Sequence, residues 1–184
     1  MKRLVLVSGI VLLLAFACLA QTLPSKIDGY KVHTANVVVT NRTATLIEKA
    51  DVVIRLDEPK IGKLGLLGAT VEISGEMVST DRSGEIERMR FHDIKVNGVA
   101  VDVAEIADAF KFKKSEPHTF THHASITLDP LGAAKGALKE LTDPKKDWLV
   151  TGTVFVFGKF KRLGFTFKRV IPVKIDLTVR NPLR

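Results

Sequence analysis

The chain has 184 residues, 46% of them hydrophobic, and carries 28 Lys and Arg against 20 Asp and Glu for a net charge of +8. That apolar fraction excludes an intrinsically disordered chain, and a lone cysteine excludes an internal disulfide framework. The length suits a single domain that buries roughly 70% of its unfolded surface without covalent staples.

Lys2 and Arg3 precede an apolar run from Leu4 to Ala17, broken only by Ser8 and Gly9, and Ala17-Cys18-Leu19-Ala20 follows with small side chains suited to a signal peptidase. The pattern predicts a secretory signal over residues 1–20, cleaved after Ala20, because the run is shorter than the about 20 apolar residues of a membrane anchor. Cys18 is a candidate for lipidation, although Ala15-Phe16-Ala17 fits that motif only in part. The expected product is one domain, residues 21–184, in the periplasm or outside the cell, lipid-anchored if Cys18 is modified.

Charge is unevenly spread. Residues 21–110 hold 11 basic and 14 acidic side chains, and residues 111–184 hold 15 and 6. A basic half of this kind suits anionic lipid, envelope polymers or nucleic acid, of which export makes nucleic acid the weakest; the alternative is a solvated surface that keeps the protein soluble.

In chain order, a lead-in at Thr22–Ser25 gives way to strand patterns. Val37–Val39 form a short apolar run with a turn at Asn41-Arg42, and in Thr45–Leu56 the residues Leu46, Ala50, Val52, Ile54 and Leu56 share a face. Asp57-Glu58-Pro59 stops that strand, Gly62, Gly65 and Gly68 mark a loop, and Ala69–Val78 resumes alternation. After a turn at Asp81–Gly84 come Met89, Phe91, Ile94 and Val96, then Asn97-Gly98 and Val99–Val101, the strongest local hairpin signal in the chain. Val103–Phe110 is open between helical turns and an irregular crossing. His118–Leu128 alternates clearly, with Phe120, His122, Ala124, Ile126 and Leu128 on one side.

Asp129-Pro130 offers an N-cap and a proline at the first helical position, and Leu131, Ala134, Leu138 and Leu141 recur at helical spacing. One amphipathic helix is therefore expected before Asp143-Pro144. Two long strands close the chain, Trp148–Phe157 and Phe165–Val179, joined by a basic turn at Gly158–Gly164; Pro172 marks an edge or a bulge because it cannot donate to a ladder. The sum is a mainly β protein, an antiparallel β-sandwich with one short helix.

No chemical motif emerges. His118 and His122 would lie about 6 Å apart on a helix, but a strand separates them by about 13 Å, too far to share one metal ion. His122 reads as a partly buried strand residue, His33 and His92 as surface residues. Gly62-Lys63-Leu64-Gly65-Leu66-Leu67-Gly68 has the wrong spacing for a phosphate loop and leads into a strand. No catalytic residue, metal ligand or cofactor site is assigned. The richest local feature is the closing hairpin, where Lys159, Phe160, Lys161, Arg162, Lys168 and Arg169 are candidates for binding an anionic surface, with Phe160 and Leu163 entering a lipid interface. The alternative is that its phenylalanines pack the core and its cations coat the outside.

The strand order, the Trp148–Phe157 run ending in a glycine turn, and the closing Val179-Arg180-Asn181-Pro182 resemble the atypical, well-folded late embryogenesis abundant proteins of the water-stress-and-hypersensitive-response (WHy) type. The resemblance implies a fibronectin-III or immunoglobulin-like sandwich and a non-enzymatic, protective role in desiccation or envelope stress; Asp57-Glu58-Pro59 stands where that family commonly has Asn-Pro. Expected functions are a binding or protective module acting on other envelope proteins, a carrier of lipid or amphiphile with a basic membrane-docking hairpin, or a hydrolase with an unrecognised site. An internal apolar cavity would favour the carrier and a fully packed interior the module.

Overall fold

Asn97 and Gly98 take φ angles of 50° and 80°, the left-handed pair that a two-residue hairpin requires, and turn the chain from β7 (Ser83–Val96) into β8 (Val99–Val103). The structure is a computed structural model and describes residues 23–41, 50–65, 68–128, 143 and 147–181. The other strands are β1 (Lys26–Ile27), β2 (Tyr30–Val32), β3 (Val37–Asn41), β4 (Val52–Leu56), β5 (Lys60–Gly65), β6 (Gly68–Ser79), β9 (Phe110–Phe112), β10 (Pro117–Leu128), β11 (Trp148–Arg162) and β12 (Phe165–Val179). The protein is mainly β, and no helix occurs among the described residues. The expected signal at 1–20, with Cys18, and the expected helix at Leu131–Leu141 lie outside them.

Hydrogen bonds link the strands in the order β1-β2-β12-β11-β7-β8-β10-β6-β4-β3, with β5 added on β6 and β9 on β7. The sheet is mixed and not purely antiparallel as expected, because β2 runs parallel to β12 and β3 parallel to β4. Strand β8 pairs with β7 through Ala100 and Val99 and then with β10 through Val101–Val103, so it joins the two halves of one continuous sheet. The halves fold over each other: Val37, Val39, Val52 and Ile54 of β3 and β4 pack on the same core as Ile171 and Val173 of β12.

The two ends of the sheet meet at a seam with a local chemical cause. The N-terminal chain follows β12 in parallel, pairing Lys31 with Arg169 and Val32 with Val170, and the His33 amide donates to the Val170 carbonyl at 3.0 Å. On that edge of β12 the next outward-facing position, two residues on, is Pro172, which has no N–H to offer. There the chain leaves β12, and as β3 it pairs with β4 instead. Pro172 thus lies on a locally unpaired side of β12, which is not an edge strand of the sheet as a whole.

Parity along β7 changes where a bulge requires it. Met89 and Phe91 are odd-numbered and Ile94 and Val96 even-numbered, yet all four face the interior. Between them the pairing with β11 slips at Thr151/Thr153, Asp93 has a φ of 51°, and Gly152 opposite has a φ of 148°. An extra residue at that point restores the apolar side chains to the inside.

Two local expectations are corrected, and one reading left open is settled. Gly62–Gly65 is not a loop but part of β5, laddered to β6. The basic turn Gly158–Gly164 shrinks to Leu163-Gly164, since β11 and β12 stay paired out to Arg162 and Phe165. Val103–Phe110 is an extended crossing and not a helix, held by reciprocal Met89–Ile106 backbone bonds of 2.8 and 3.0 Å.

Candidate functional site

Between the folded-over halves lies an apolar chamber of about 210 Å³. Inward positions of β3, β4, β6, β7, β8, β10, β11 and β12 supply its wall, mostly Val, Ile, Leu and Phe. Two packed clusters bound it. Near the β11–β12 hairpin, Ile86, Phe112, Phe160 and Ile171 close the interior with Met77 and Val173. At the other end, Trp148 packs with Ile94, Val96, Val101 and Val179. An interior that is packed at both ends and hollow between them departs from the close packing of ordinary cores.

Polar groups are few in the wall. His122 is 95% buried on its relative exposure of 5%, and neither ring nitrogen has a hydrogen-bond partner. Its ring lies 5.5 Å from those of Phe110 and Phe120, and the Asp108 carboxylate stands 3.6 Å from Nδ1, beyond hydrogen-bond range. Trp148, 7% exposed, likewise has an indole N–H without a partner. Each orphaned group costs about 1–3 kcal/mol of unmet solvation. His122 is thus fully buried where partial burial was expected, and it lines the chamber.

Among the described residues that line the chamber there is no Ser, Thr or Cys, and Asp57 is the only carboxylate. Among the described residues no three His, Cys, Asp or Glu side chains gather as a metal site would require.

One patch of the outer face pairs its own charges. Asp28 accepts from both Arg88 and Arg90 at 2.7 Å, which holds its carboxyl below the usual value, and Glu105 bonds the same two arginines. Glu87 receives the Tyr30 hydroxyl at 2.7 Å and pairs with Lys159. Burial works to raise the Glu87 pKa, but the Lys159 and Tyr30 bonds prevail and lower it.

The closing hairpin divides the residues expected to meet an anionic surface. Phe160 is 6% exposed and belongs to the core, correcting its expected place in a lipid interface. Lys159 is engaged by Glu87. Lys161 and Lys168 are exposed and make no ion pair among the described residues, Lys168 Nζ lies 5.8 Å over the Tyr30 ring, and the half-buried Arg169 lies 5.1 Å over the Phe167 ring. The Arg162 side chain is outside the described residues. Sequence reading reached Leu163 but missed Phe165 and Phe167, whose exposures are 69% and 38%, because both continue an apolar alternation that is buried farther along β12. His33 was also misread as a surface residue. It is half-buried, with its ring nitrogen 3.3 Å from Arg82.

No protein-family model matches the chain, and no curated protein matches it. Among solved structures, one described as the crystal structure of a protein from Archaeoglobus fulgidus is similar at 11% identity, covering 68% of this chain and 98% of that one with a TM-score of 0.38. A likeness at that level carries no argument about function.

Proposed function

We propose that the protein is an exported, non-enzymatic binding module that houses the apolar part of a lipid or other amphiphile between its sheet halves. The supporting observation is the chamber. A space of about 210 Å³ lined almost wholly by apolar side chains is room that a close-packed interior would have filled. A protein whose interior only supported surface contacts would gain by filling the space; one that binds an apolar guest needs it open. A smaller engineered apolar cavity of about 150 Å³ takes up benzene. In these terms the expected sandwich is one sheet folded over on itself, its facing halves held apart by the chamber.

The test uses Trp148, the only tryptophan, which lies in the chamber wall. A fatty acid brominated along its chain should quench its fluorescence saturably. Ala124→Leu and Val150→Leu, which add volume at two wall positions, should abolish quenching while raising the melting temperature. Quenching that does not saturate, or that persists unchanged in both folded variants, would sink the proposal.

A further inference from the structure

We infer that the tip of the β11–β12 hairpin is a docking finger for anionic lipid bilayers, a role distinct from occupancy of the chamber. The tip is built against the usual preferences of its turn. Leu163 and Gly164 take φ angles of 51° and 81°, positions that favour Gly, Asn or Asp, and a bulky residue with positive φ is uncommon. Leu163 is also 89% exposed, so packing on the fold does not explain its presence.

The two faces of the tip differ in chemistry. Cross-strand partners share a face, so the register Phe160–Phe167 and the alternation along β12 set Phe165 and Phe167 on the side of the core. Both project beyond the Phe112–Phe160 cluster and stay exposed, their rings 6.4 Å apart. The register Lys161–Thr166 and Lys159–Lys168 sets Lys161 and Lys168 on the opposite side. Arg169 shares the ring face, 5.1 Å over Phe167, so rings edged by one arginine and backed by lysines match an interface where rings enter the acyl boundary and cations reach back to phosphate.

Charge selects an anionic bilayer over a second copy of the chain. From Trp148 to Ile175 the sequence has six Lys and Arg, of which Lys159 is engaged by Glu87, and no Asp or Glu. Lys31 is paired opposite Arg169, and Lys26 opposite Lys31, extending the basic zone across β1 and β2. Two such surfaces repel each other, whereas each cation close to an anionic membrane adds to attraction.

The experiment is sedimentation of the chain from residue 21, which carries every described strand, with vesicles of phosphatidylcholine alone or mixed with phosphatidylglycerol. The wild type should sediment with the mixed vesicles only. Lys161→Ser with Lys168→Ser should weaken partitioning by about fivefold for each lysine removed. Leu163→Ser, Phe165→Ser and Phe167→Ser together should abolish it, with the melting temperature unchanged because these side chains are exposed. Failure of the wild type to bind mixed vesicles would overturn the inference. So would equal binding by the variants, or a dimer that the triple variant dissociates without altering vesicle binding. Each result is independent of Trp148 quenching.

Discussion

The Asn41 side-chain amide donates to the Thr178 backbone carbonyl at 2.8 Å, tying β3 to β12 where no ladder joins them. A polar side chain here does the work that backbone pairing does elsewhere in the sheet. One such bond contributes about 1 kcal/mol, and with it the seam is held by apolar packing instead of a ladder. Asn41→Ala should therefore lower unfolding free energy by about 1 kcal/mol and speed both amide exchange along β3 and release of a chamber guest. Exchange rates equal to those of the wild type would show that the seam is held by its apolar packing alone.

Trp148 can only donate, so its orphaned N–H suits a guest with an acceptor, such as a carboxylate or ester carbonyl. Trp148→Phe should reduce affinity for a fatty acid by about five- to tenfold, the worth of one hydrogen bond, and leave affinity for a hydrocarbon of equal length unchanged. Calorimetric titration with both probes separates the outcomes; an equal loss for both would assign Trp148 a packing role alone.

His33 sits where the chain leaves β12, and its pKa is lowered from 6.5 first by burial, then by Arg82 and Arg169, against the opposing pull of Asp51 and Asp81. The folded protein thus holds this imidazole neutral more strongly than the unfolded chain does. The stabilisation is complete above pH 6.5 and is lost as the pH falls from there through the lower folded value. Melting temperatures across that window should decline less steeply for His33→Gln than for the wild type. Parallel declines would remove His33 as the cause.

Gly152 permits the bulge that keeps Ile94 and Val96 facing inward. A Cβ there would stand 2.5 Å from Ile94 Cδ1, on a backbone with φ of 148°. Gly152→Ala should destabilise the fold by about 1–3 kcal/mol in urea titration. A change within error would mean that the bulge can migrate along β7.

Much of the wall was legible in sequence, and the hollow was not. Period-two alternation placed Phe120, His122, Ala124 and Ile126 together, and all four line the chamber. Asn97-Gly98 named its turn because few other residues accept two positive φ angles in succession. Alternation states which side of a strand is apolar but not how far away the opposite side lies. The parity break between Phe91 and Ile94 was a readable sign of a bulge. Phe165 and Phe167 defeated the same rule, because the alternation continues past the point where the opposite wall ends.

The pairing of β2 with β12 joins segments separated by more than a hundred residues. Closing so long a stretch of chain early is entropically unfavourable, so this contact belongs to the end of folding. Strand β12 also supplies Val173, Ile175, Leu177 and Val179 to the wall, and until it arrives the apolar surfaces of the earlier strands stand open to water. A nascent chain halted before β12 would present a sticky, half-built trough, so removing the last strand should produce aggregation and not a smaller working protein.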